Sequence, residues 1–322
     1  MRRWRVVCLA AGVVFVFGAL PASASFAGRD GKILLVVFPP QGGPAYLPFG
    51  PVHFWTVDAR NGAVAQDIGV AAGDYEQFRG AEFTPNGQQI LYLHALRKPV
   101  DSESLMSLDL MNVDGGGRRV VVQRHGIASF AISPDGNRLA YVALTEEGND
   151  TLYMKRLDTG RTRVIFQNSP WTGGAFQWAG DGKIYAADNS RCKTNYFCAF
   201  DPSNGSSRTI NLASSRVQIY GYPPAISPDG TRLAFYDPTG PAGVRVYGTD
   251  GRFRRNIIGS YQCVGPFSPN GRELLLADWC GGTNLKLSEF NFSTHETEPL
   301  DVSVPIAAGA TDAVVDWQAR TR

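Results

Sequence analysis

The sequence predicts an all-β fold: a six-bladed β-propeller whose blades each have four antiparallel strands. A turn-forming cluster recurs about every 40 to 50 residues, strand-like runs alone lie between the copies, and each turn is followed by consecutive apolar residues. This spacing is typical of propeller blades. The five copies with a shared ending are Pro85-Asn86-Gly87, Pro134-Asp135-Gly136, Gly180-Asp181-Gly182, Pro228-Asp229-Gly230 and Pro269-Asn270-Gly271.

The residue types of these turns suit a tight hairpin. In Ser133-Pro134-Asp135-Gly136 the proline presets φ for the first corner, the aspartate can accept hydrogen bonds from nearby amides, and glycine tolerates the left-handed position. The run that follows, Leu139-Ala140-Tyr141-Val142, is apolar at consecutive positions rather than at alternate ones. Such a run predicts a strand that is covered on both faces, as between neighbouring blades.

A second turn signal follows roughly 20 to 30 residues after each first turn, where a strand ends in aspartate and then glycine. If the strands are named A to D from the ring axis outward, the first turn joins A to B and the second joins C to D. The copies are Val57-Asp58 to Gly62, Val113-Asp114-Gly115, Leu157-Asp158-Thr159-Gly160, Phe200-Asp201 to Gly205, Thr249-Asp250-Gly251 and the degenerate Phe290 to Thr294.

The two ends of the repeat region predict how the ring closes. The first repeat opens at Asp30-Gly31-Lys32 and continues with Ile33 to Val37, so it has strands B, C and D but lacks strand A. The segment Ala313 to Trp317 has the apolar character of an A strand, with an aromatic residue at the expected position. We therefore expect this C-terminal strand to complete blade one and leave no open edge. The single propeller domain is predicted to span residues 28–320.

The repeats resemble the Pro-Asp repeats of TolB-type propellers, a WD-like repeat family. The resemblance lies in Phe130 to Val142, Ile226 to Phe235 and Phe267 to Gly271, whereas the fourth copy departs from it at Trp178-Ala179-Gly180. It implies a six-bladed fold and does not imply membership of the Tol system. We expect the propeller to stand without the N-terminal α/β domain of TolB.

The first 24 residues are predicted to be a secretory signal peptide. Three arginines precede the apolar stretch Val6 to Leu20, and Pro21-Ala22-Ser23-Ala24 supplies an Ala-x-Ala cleavage site. Cleavage is expected after Ala24 or, as a second choice, after Ala27, and an uncleaved anchor is the alternative. Because Cys8 lies too early for lipid attachment, we expect a secreted or periplasmic protein with no membrane span after cleavage.

Four cysteines follow the predicted signal peptide, and an oxidising compartment favours disulfides between them. Three pairings are possible. We predict that Cys192 pairs with Cys198 across a B-to-C loop, and that Cys263 pairs with Cys280 across a hairpin. A zinc site is the alternative, but the chain has no Cys-x-x-Cys pair.

Composition excludes several classes of partner. The formal net charge is +2, with acidic and basic residues interspersed, so neither a basic stripe for nucleic acid nor an acidic tail is present. We expect a monomer that binds neither nucleic acid nor a cofactor.

Strand parity divides the connections between two faces of the ring. The short A-to-B and C-to-D turns share one face, here the turn face, and the B-to-C and D-to-A loops share the other, here the loop face. Because binding residues concentrate on loops held by a rigid scaffold, the loop face is the predicted binding surface. Its candidate aromatic residues, which could instead pack over the blade ends, are Tyr46, Phe49, Tyr75, Trp171 and Tyr196.

Three histidines, His53, His94 and His125, also fall near the loop face, whereas His295 lies in a turn of the other face. They could bind a metal if they converged, but their spacing is not diagnostic and each could be an ordinary solvated or packed histidine.

No catalytic residue is assigned, because the chain lacks a Gly-x-Ser-x-Gly elbow, a His-Glu-x-x-His pair and a P-loop. The recurring aspartates, such as Asp135 and Asp229, are explained by turn capping. Two hypotheses follow. The favoured one is an exported non-catalytic binding scaffold for a protein, peptide or envelope glycan. The alternative is a metal-assisted polysaccharide lyase or hydrolase that uses the loop-face histidines.

Overall fold

The computed structural model places 24 strands in six four-stranded antiparallel sheets, and the described part of the chain contains no helix. This confirms the predicted six-bladed, all-β propeller. The structure describes residues 29–38, 53–59, 64–69, 77–95, 105–145, 150–167, 176–187, 197–212, 224–237, 243–259, 261, 263–277, 286–300, 302 and 311–320.

Blades one to three contain the first eleven strands and the last one. Blade one consists, from the axis outward, of β24 (Thr311–Arg320), β1 (Arg29–Phe38), β2 (His53–Asp58) and β3 (Val64–Asp67). Blade two consists of β4 (Gln77–Phe83), β5 (Gln89–Ala95), β6 (Leu105–Asn112) and β7 (Arg119–His125). Blade three consists of β8 (Ser129–Ile132), β9 (Arg138–Leu144), β10 (Asp150–Arg156) and β11 (Thr162–Phe166).

Blades four to six repeat this order along the chain. Blade four consists of β12 (Phe176–Trp178), β13 (Ile184–Ala187), β14 (Phe197–Phe200) and β15 (Ser207–Ile210). Blade five consists of β16 (Ala225–Ile226), β17 (Arg232–Tyr236), β18 (Val244–Gly248) and β19 (Phe253–Ile257). Blade six consists of β20 (Cys263–Phe267), β21 (Glu273–Ala277), β22 (Leu287–Asn291) and β23 (Thr297–Leu300).

The ring closes in blade one, as the sequence predicts. Strand β24 pairs antiparallel with β1, and Trp317 stands opposite Ile33 while Asp316 stands opposite Leu34. A bulge separates this part of the ladder from the pairs Leu35–Val314 and Val36–Ala313. The C-terminal strand β24 is thus the inner strand of blade one, and the other three strands of that blade, β1 to β3, come from the N-terminal end of the repeat region. By pairing with β1, strand β24 covers an edge that β1 would otherwise expose.

The five A-to-B turns share one hydrogen-bond pattern. The side-chain oxygen of the turn Asp or Asn accepts the amide two residues later, at 2.6–3.0 Å, in Asn86, Asp135, Asp181, Asp229 and Asn270. The glycine that ends each turn has a φ between 68° and 80°, which suits a residue without Cβ. The predicted role of Pro-Asp-Gly as turn chemistry is therefore confirmed.

The hydrophobic core consists of six clusters among the described residues, and each cluster lies between two neighbouring blades. Strand β9 shows how one strand serves two clusters. Leu139 and Tyr141 pack toward blade two, whereas Ala140 and Val142 pack toward blade four. Burial on both faces explains why these runs are apolar at consecutive positions.

Arginines on the outer strands join blades three to six, each to the next, at the turn face. Arg163 donates to the carbonyl oxygen of Pro202 at 2.8 Å, and Arg208 donates to that of Thr249 at 3.1 Å. One blade further on, Arg255 Nη2 lies 2.8 Å from His295 Nε2. These contacts tie the outer C-to-D turns together around part of the ring.

No helix among the described residues has the length and apolar composition needed to cross a membrane.

Replacing Trp317 by alanine tests the closure of the ring. The Trp317 side chain is 2% exposed and packs against Leu275 and Leu287 of blade six. Because the substitution leaves a cavity at the closing strand, we expect Trp317→Ala to lower the free energy of unfolding by about 3 to 5 kcal/mol in urea denaturation.

The matched control is Phe253→Ala, which removes an aromatic ring that is 51% exposed on an outer strand. We expect this control to cost about 1 kcal/mol or less. Equal losses of stability in the two variants would contradict a buried closing strand.

Candidate functional site

The strand bounds show that the two faces of the ring differ. The five A-to-B turns that link strands of blades two to six contain five residues each, and the C-to-D turns contain four to six. On the loop face, the B-to-C connections range from five residues at 145–149 to fourteen at 39–52. The D-to-A connections range from three residues at 126–128 to fourteen at 211–224. Irregular length is therefore confined to one face.

The five aromatic residues predicted to form the binding surface fall in these long connections. Their assignment as a binding surface stays a prediction, because all five lie outside the described residues: Tyr46, Phe49, Tyr75, Trp171 and Tyr196.

The three loop-face histidines have different surroundings. His53 begins β2, and its Nδ1 lies 3.3 Å from the carboxylate of Asp67 at an exposed position. His125 ends β7 and is exposed, whereas His94 on β5 is only 2% exposed. His94 and His125 are separated by strand β6, which places their strands roughly 10 Å apart.

The structure does not gather these histidines into a metal site. Within the described ranges, no group of three His, Cys, Asp or Glu side chains could hold a metal ion. His94 in particular is occupied by a different set of partners.

His94 belongs to a polar cluster with Ser107, Asp109 and Arg118, here called the His94 cluster, in which Arg118 is exposed and the other three side chains are buried. The Nε2 atom of His94 lies 3.3 Å from both Asp109 Oδ2 and Arg118 Nη2. Arg118 Nε donates to the same Asp109 oxygen at 3.0 Å, and the Ser107 hydroxyl donates to Asp109 Oδ1. Tyr92 stacks on the imidazole, with the ring centroids 5.4 Å apart.

The His94 cluster faces blade one, since Tyr92 also meets the ring of Phe54 edge-on at 5.6 Å. The Ser107 hydroxyl donates to the carboxylate and not to the imidazole, so His94 is not arranged to activate it as a nucleophile. The cluster is a hydrogen-bonded polar network within blade two, on the side of that blade that faces blade one.

The pKa of Asp109 shows how strongly its partners hold the charge. Burial alone would raise this pKa, but hydrogen bonds from His94 and Ser107, together with the neighbouring Arg118, lower it to about 2. Asp109 is therefore ionised throughout the physiological range, and its charge stabilises the fold.

A second polar arrangement surrounds the ring axis, where the inner strands contact one another. Asp316 Oδ2 accepts the amide of Phe83 at 2.6 Å, and Glu82 Oε1 accepts the amide of Ile132 at 2.6 Å. Gln177 Oε1 likewise accepts the amide of Ile226 at 2.8 Å. Each of these three bonds, here called axial clamps, runs from one inner strand to the inner strand of the next blade.

The axial clamps have a simple cause. One edge of each inner strand faces the axis, so its amides lack a ladder partner and must be satisfied otherwise. Side chains at one repeat position can reach these amides. In blades one to six this position is occupied by Asp316, Glu82, Ala131, Gln177, Ala225 and Pro266.

Two of the clamps are made by carboxyls with raised pKa values. Burial raises the pKa of Asp316 to about 7, although the amides of Phe83 and Trp317 act in the opposite direction. Burial, followed by the charge of Asp316, raises the pKa of Glu82 well above its ordinary value. Among the inner-strand side chains that the structure describes, these two are the only ionisable ones.

Sequence reasoning did not single out Glu82, Gln177 or Asp316. The signal was nevertheless present: aligning the repeats on their turns places these residues in one column, directly before the aromatic or aliphatic residue of each inner strand. Nothing in the column itself shows that the amide donor for each of these side chains lies on the next blade.

Cys198 is the only cysteine whose side chain the structure describes. It is buried in β14, and its sulfur is disulfide-bonded. Its partner lies outside the described side chains, as do the sulfurs of Cys192, Cys263 and Cys280. Both predicted pairings therefore stay predictions.

Replacing Asp109 by asparagine tests the His94 cluster. Because the pKa of Asp109 lies near 2 in the folded protein and near the ordinary value of 3.8 in the unfolded chain, the ionised carboxylate contributes about 2 kcal/mol above pH 4. This contribution is lost as pH falls through 2. We expect Asp109→Asn to be less stable than the wild type in urea at pH 7. The difference should shrink between pH 4 and pH 2.

The control is Asp114→Asn, at an exposed carboxylate in the turn that follows the same strand, where asparagine can still accept the amide of Gly116. This variant should behave like the wild type. A stability difference for Asp109→Asn that is the same at pH 7 and pH 2 would contradict the role of the charge.

Comparison with known families finds one match. A sequence model described as the lipoprotein LpqB beta-propeller domain matches residues 109–251, from blade two to blade five. This is less than half of the chain. No curated protein matches the sequence.

Several solved structures share the fold. TolB from Acinetobacter baumannii aligns with a TM-score of 0.65 and 17% identity, over 92% of this chain and 68% of that chain. A chain of the nidogen/laminin complex gives a TM-score of 0.59 and 13% identity, over 90% and 100%. The putative TolB from Agrobacterium tumefaciens gives 0.56 and 15%, over 84% and 89%.

These similarities concern architecture. The identities are low and 606 chains of solved structures match, so the shared fold does not assign an activity. They do agree with the resemblance of the Pro-Asp-Gly repeats. The chain is a six-bladed propeller of the kind found in TolB, with a central part that matches the propeller domain of lipoprotein LpqB.

Proposed function

We propose that the protein is an exported, non-catalytic binding scaffold that engages a protein, a peptide or an envelope glycan through its loop face. The observation that carries this proposal is the difference between the two faces of the ring. The turn face is built from short connections of nearly uniform length, whereas the loop face combines connections of three to fourteen residues. Variation of this kind on a rigid scaffold is typical of a binding surface.

The turn face has few free polar groups to offer a ligand in its A-to-B turns. The carboxylates of Asp135 and Asp229 accept the hydroxyls of Ser133 and Ser227 within their own turns, in addition to a backbone amide. Burial acts to raise their pKa values, but these bonds favour the charged form and the pKa values are lowered. The repeated aspartates are thus used for turn stability.

Aromatic residues in the loop-face connections support the choice of that face. Tyrosine, tryptophan and phenylalanine provide large contact areas at little cost in side-chain entropy, and they dominate many binding surfaces. The candidates are those predicted from the sequence: Tyr46, Phe49, Tyr75, Trp171 and Tyr196.

Three observations support export. Residues 1–24 have the composition of a signal peptide, and the family that matches residues 109–251 is named for a lipoprotein. The disulfide at Cys198 fits an oxidising compartment, since disulfides are rare in the cytosol. We therefore place the protein outside the cytoplasm, as a secreted or periplasmic protein.

The enzymatic alternative gains no support from the described residues. Its three histidines stand in separate surroundings, and His94 is engaged with Asp109 and Arg118 inside the ring. We therefore put forward the binding scaffold alone.

Affinity capture with the mature chain tests the loop face. The wild type would be used to capture partners from an envelope extract of the source organism, and each captured partner would then be purified and titrated. We expect Tyr46→Ala combined with Trp171→Ala to weaken binding of the specific partner at least tenfold, about 1.4 kcal/mol, because truncated aromatic anchors lose buried contact area.

The matched control is Phe253→Ala, which removes an exposed aromatic residue from the outer strand β19. This variant should bind as the wild type does. A partner whose affinity is unchanged in the loop-face variant, or equally reduced in the control, would count against the loop face.

A further inference from the structure

We propose that Glu82 and Asp316, which clamp consecutive inner strands, form an interacting carboxyl pair that makes the seam between blades one and two sensitive to pH. While the pair retains a proton, the inner strands on either side of the seam are held together. When both carboxyls are ionised, their mutual repulsion loosens the seam.

A hydrogen bond places the Asp316 carboxyl beside the peptide unit that follows Glu82. Asp316 Oδ2 lies 2.6 Å from the amide nitrogen of Phe83, and that nitrogen belongs to the peptide unit that joins Glu82 to Phe83. Both side chains are half-buried on neighbouring inner strands, β24 and β4. Glu82 in turn reaches the amide of Ile132 on β8. The two carboxyls are therefore consecutive links of one chain of axial clamps.

The charged groups around the pair are few. Strand β8 has no ionisable residue, and β20 contributes only Cys263. Strand β5 contributes Tyr92 and His94, of which His94 belongs to the His94 cluster. On β1, Lys32 stands opposite Asp58 of β2. The other ionisable residues of the strands that carry or contact the pair are Arg29, Asp30, Arg79, Asp312 and Arg320, whose side chains lie outside the described part of the structure.

Burial raises the pKa of both carboxyls, and charge repulsion acts in the same direction on Glu82. Burial raises the pKa of Asp316 to about 7, and the charge of Asp316 adds to the effect of burial on the pKa of Glu82. The folded protein thus keeps a proton that the unfolded chain has lost above the ordinary pKa values of 3.8 for aspartate and 4.5 for glutamate. The ratio of folded to unfolded protein must then fall as pH rises from about 4 through 7.

Blade four shows that a clamp does not need a charge. Gln177 accepts the amide of Ile226 with a neutral amide oxygen at 2.8 Å, in the same repeat position as Glu82. A glutamine at position 82 can therefore make the same bond without a titratable proton. A substitution can thus remove the charge from the pair while the hydrogen bond of the clamp is kept.

The location of the pair makes the effect specific to the closure of the ring. The bond from Asp316 to Phe83 joins residues 233 positions apart, because β24 is the strand that completes blade one. Loosening at this point weakens contacts between the closing blade and its neighbour. Clamps elsewhere, such as that of Gln177, should not respond.

Urea denaturation of the full chain between pH 5 and pH 8 tests the proposal. For the wild type we expect the ratio of folded to unfolded protein to fall about tenfold per pH unit for each proton retained in the folded state. The double variant Glu82→Gln with Asp316→Asn should flatten this dependence and gain stability over the wild type as pH rises. The control Asp229→Asn, at a turn carboxylate with a lowered pKa, should keep the wild-type slope.

Hydrogen exchange of single amides gives a second readout within the wild type. Protection of the Phe83 and Ile132 amides, which the carboxyls bind, should decrease between pH 6 and pH 8 relative to intrinsic exchange. The Ile226 amide, bound by Gln177, should keep its protection and serves as the internal control.

The proposal is overturned if the double variant keeps the wild-type pH slope, or if the Phe83 and Ile132 amides follow the Ile226 amide. If the double variant does not fold, the single variant Glu82→Gln and the comparison of wild-type amides decide the question, because neither requires the second substitution.

Discussion

The pairing of β24 with β1 is the interaction on which the rest of the structure depends. A ring of blades has no exposed sheet edge at its junction only if the last strand of the chain pairs with the first. Here Trp317 stands opposite Ile33, and Asp316 stands opposite Leu34. This pairing brings Trp317 into the cluster between blades six and one. It also places Asp316 beside Phe83, so the closing strand supplies both an apolar and a polar contact to its neighbours.

Contacts between blades run in one direction around the ring, at two distances from the axis. Near the axis, Glu82 and Gln177 each reach the inner strand of the following blade. At the outer strands, Arg163 and Arg208 each donate to a carbonyl of the following blade. With an apolar cluster between every pair of blades, these bonds make the ring a rigid support. The loop-face connections are then free to vary in length and sequence, which is where we place binding.

Much of the fold was predictable because its signals are local. A turn such as Ser133 to Gly136 satisfies its own amides, so its chemistry can be read without the rest of the protein. The closing strand was predictable because Trp317 repeats the pattern of the other inner strands. The candidate site was less accessible. His94 was predicted near the loop face as a possible metal ligand, yet its side chain turns toward blade one, and a strand register is needed to know this.

The roles of Glu82 and Asp316 could not be deduced from either residue alone. Each carboxyl acts on an amide of a different blade, and its pKa depends on burial that only the closed ring creates. Gln177 has the same role without charge, so composition at this position does not reveal function. The five loop-face aromatic residues remain predictions for the complementary reason: their sequence positions are informative, but they lie outside the described residues.

Native-state hydrogen exchange of β1 tests the closed ring most directly. Strand β1 is the second strand of blade one, as β9 is of blade three, and each is flanked by two strands. If β24 closes the ring, the amides of Ile33 to Val36 should exchange as slowly as those of Leu139 to Val142, through global unfolding. Amides of Ile33 to Val36 that exchange much faster, through local opening of an unpaired edge, would contradict the closure on which this account depends.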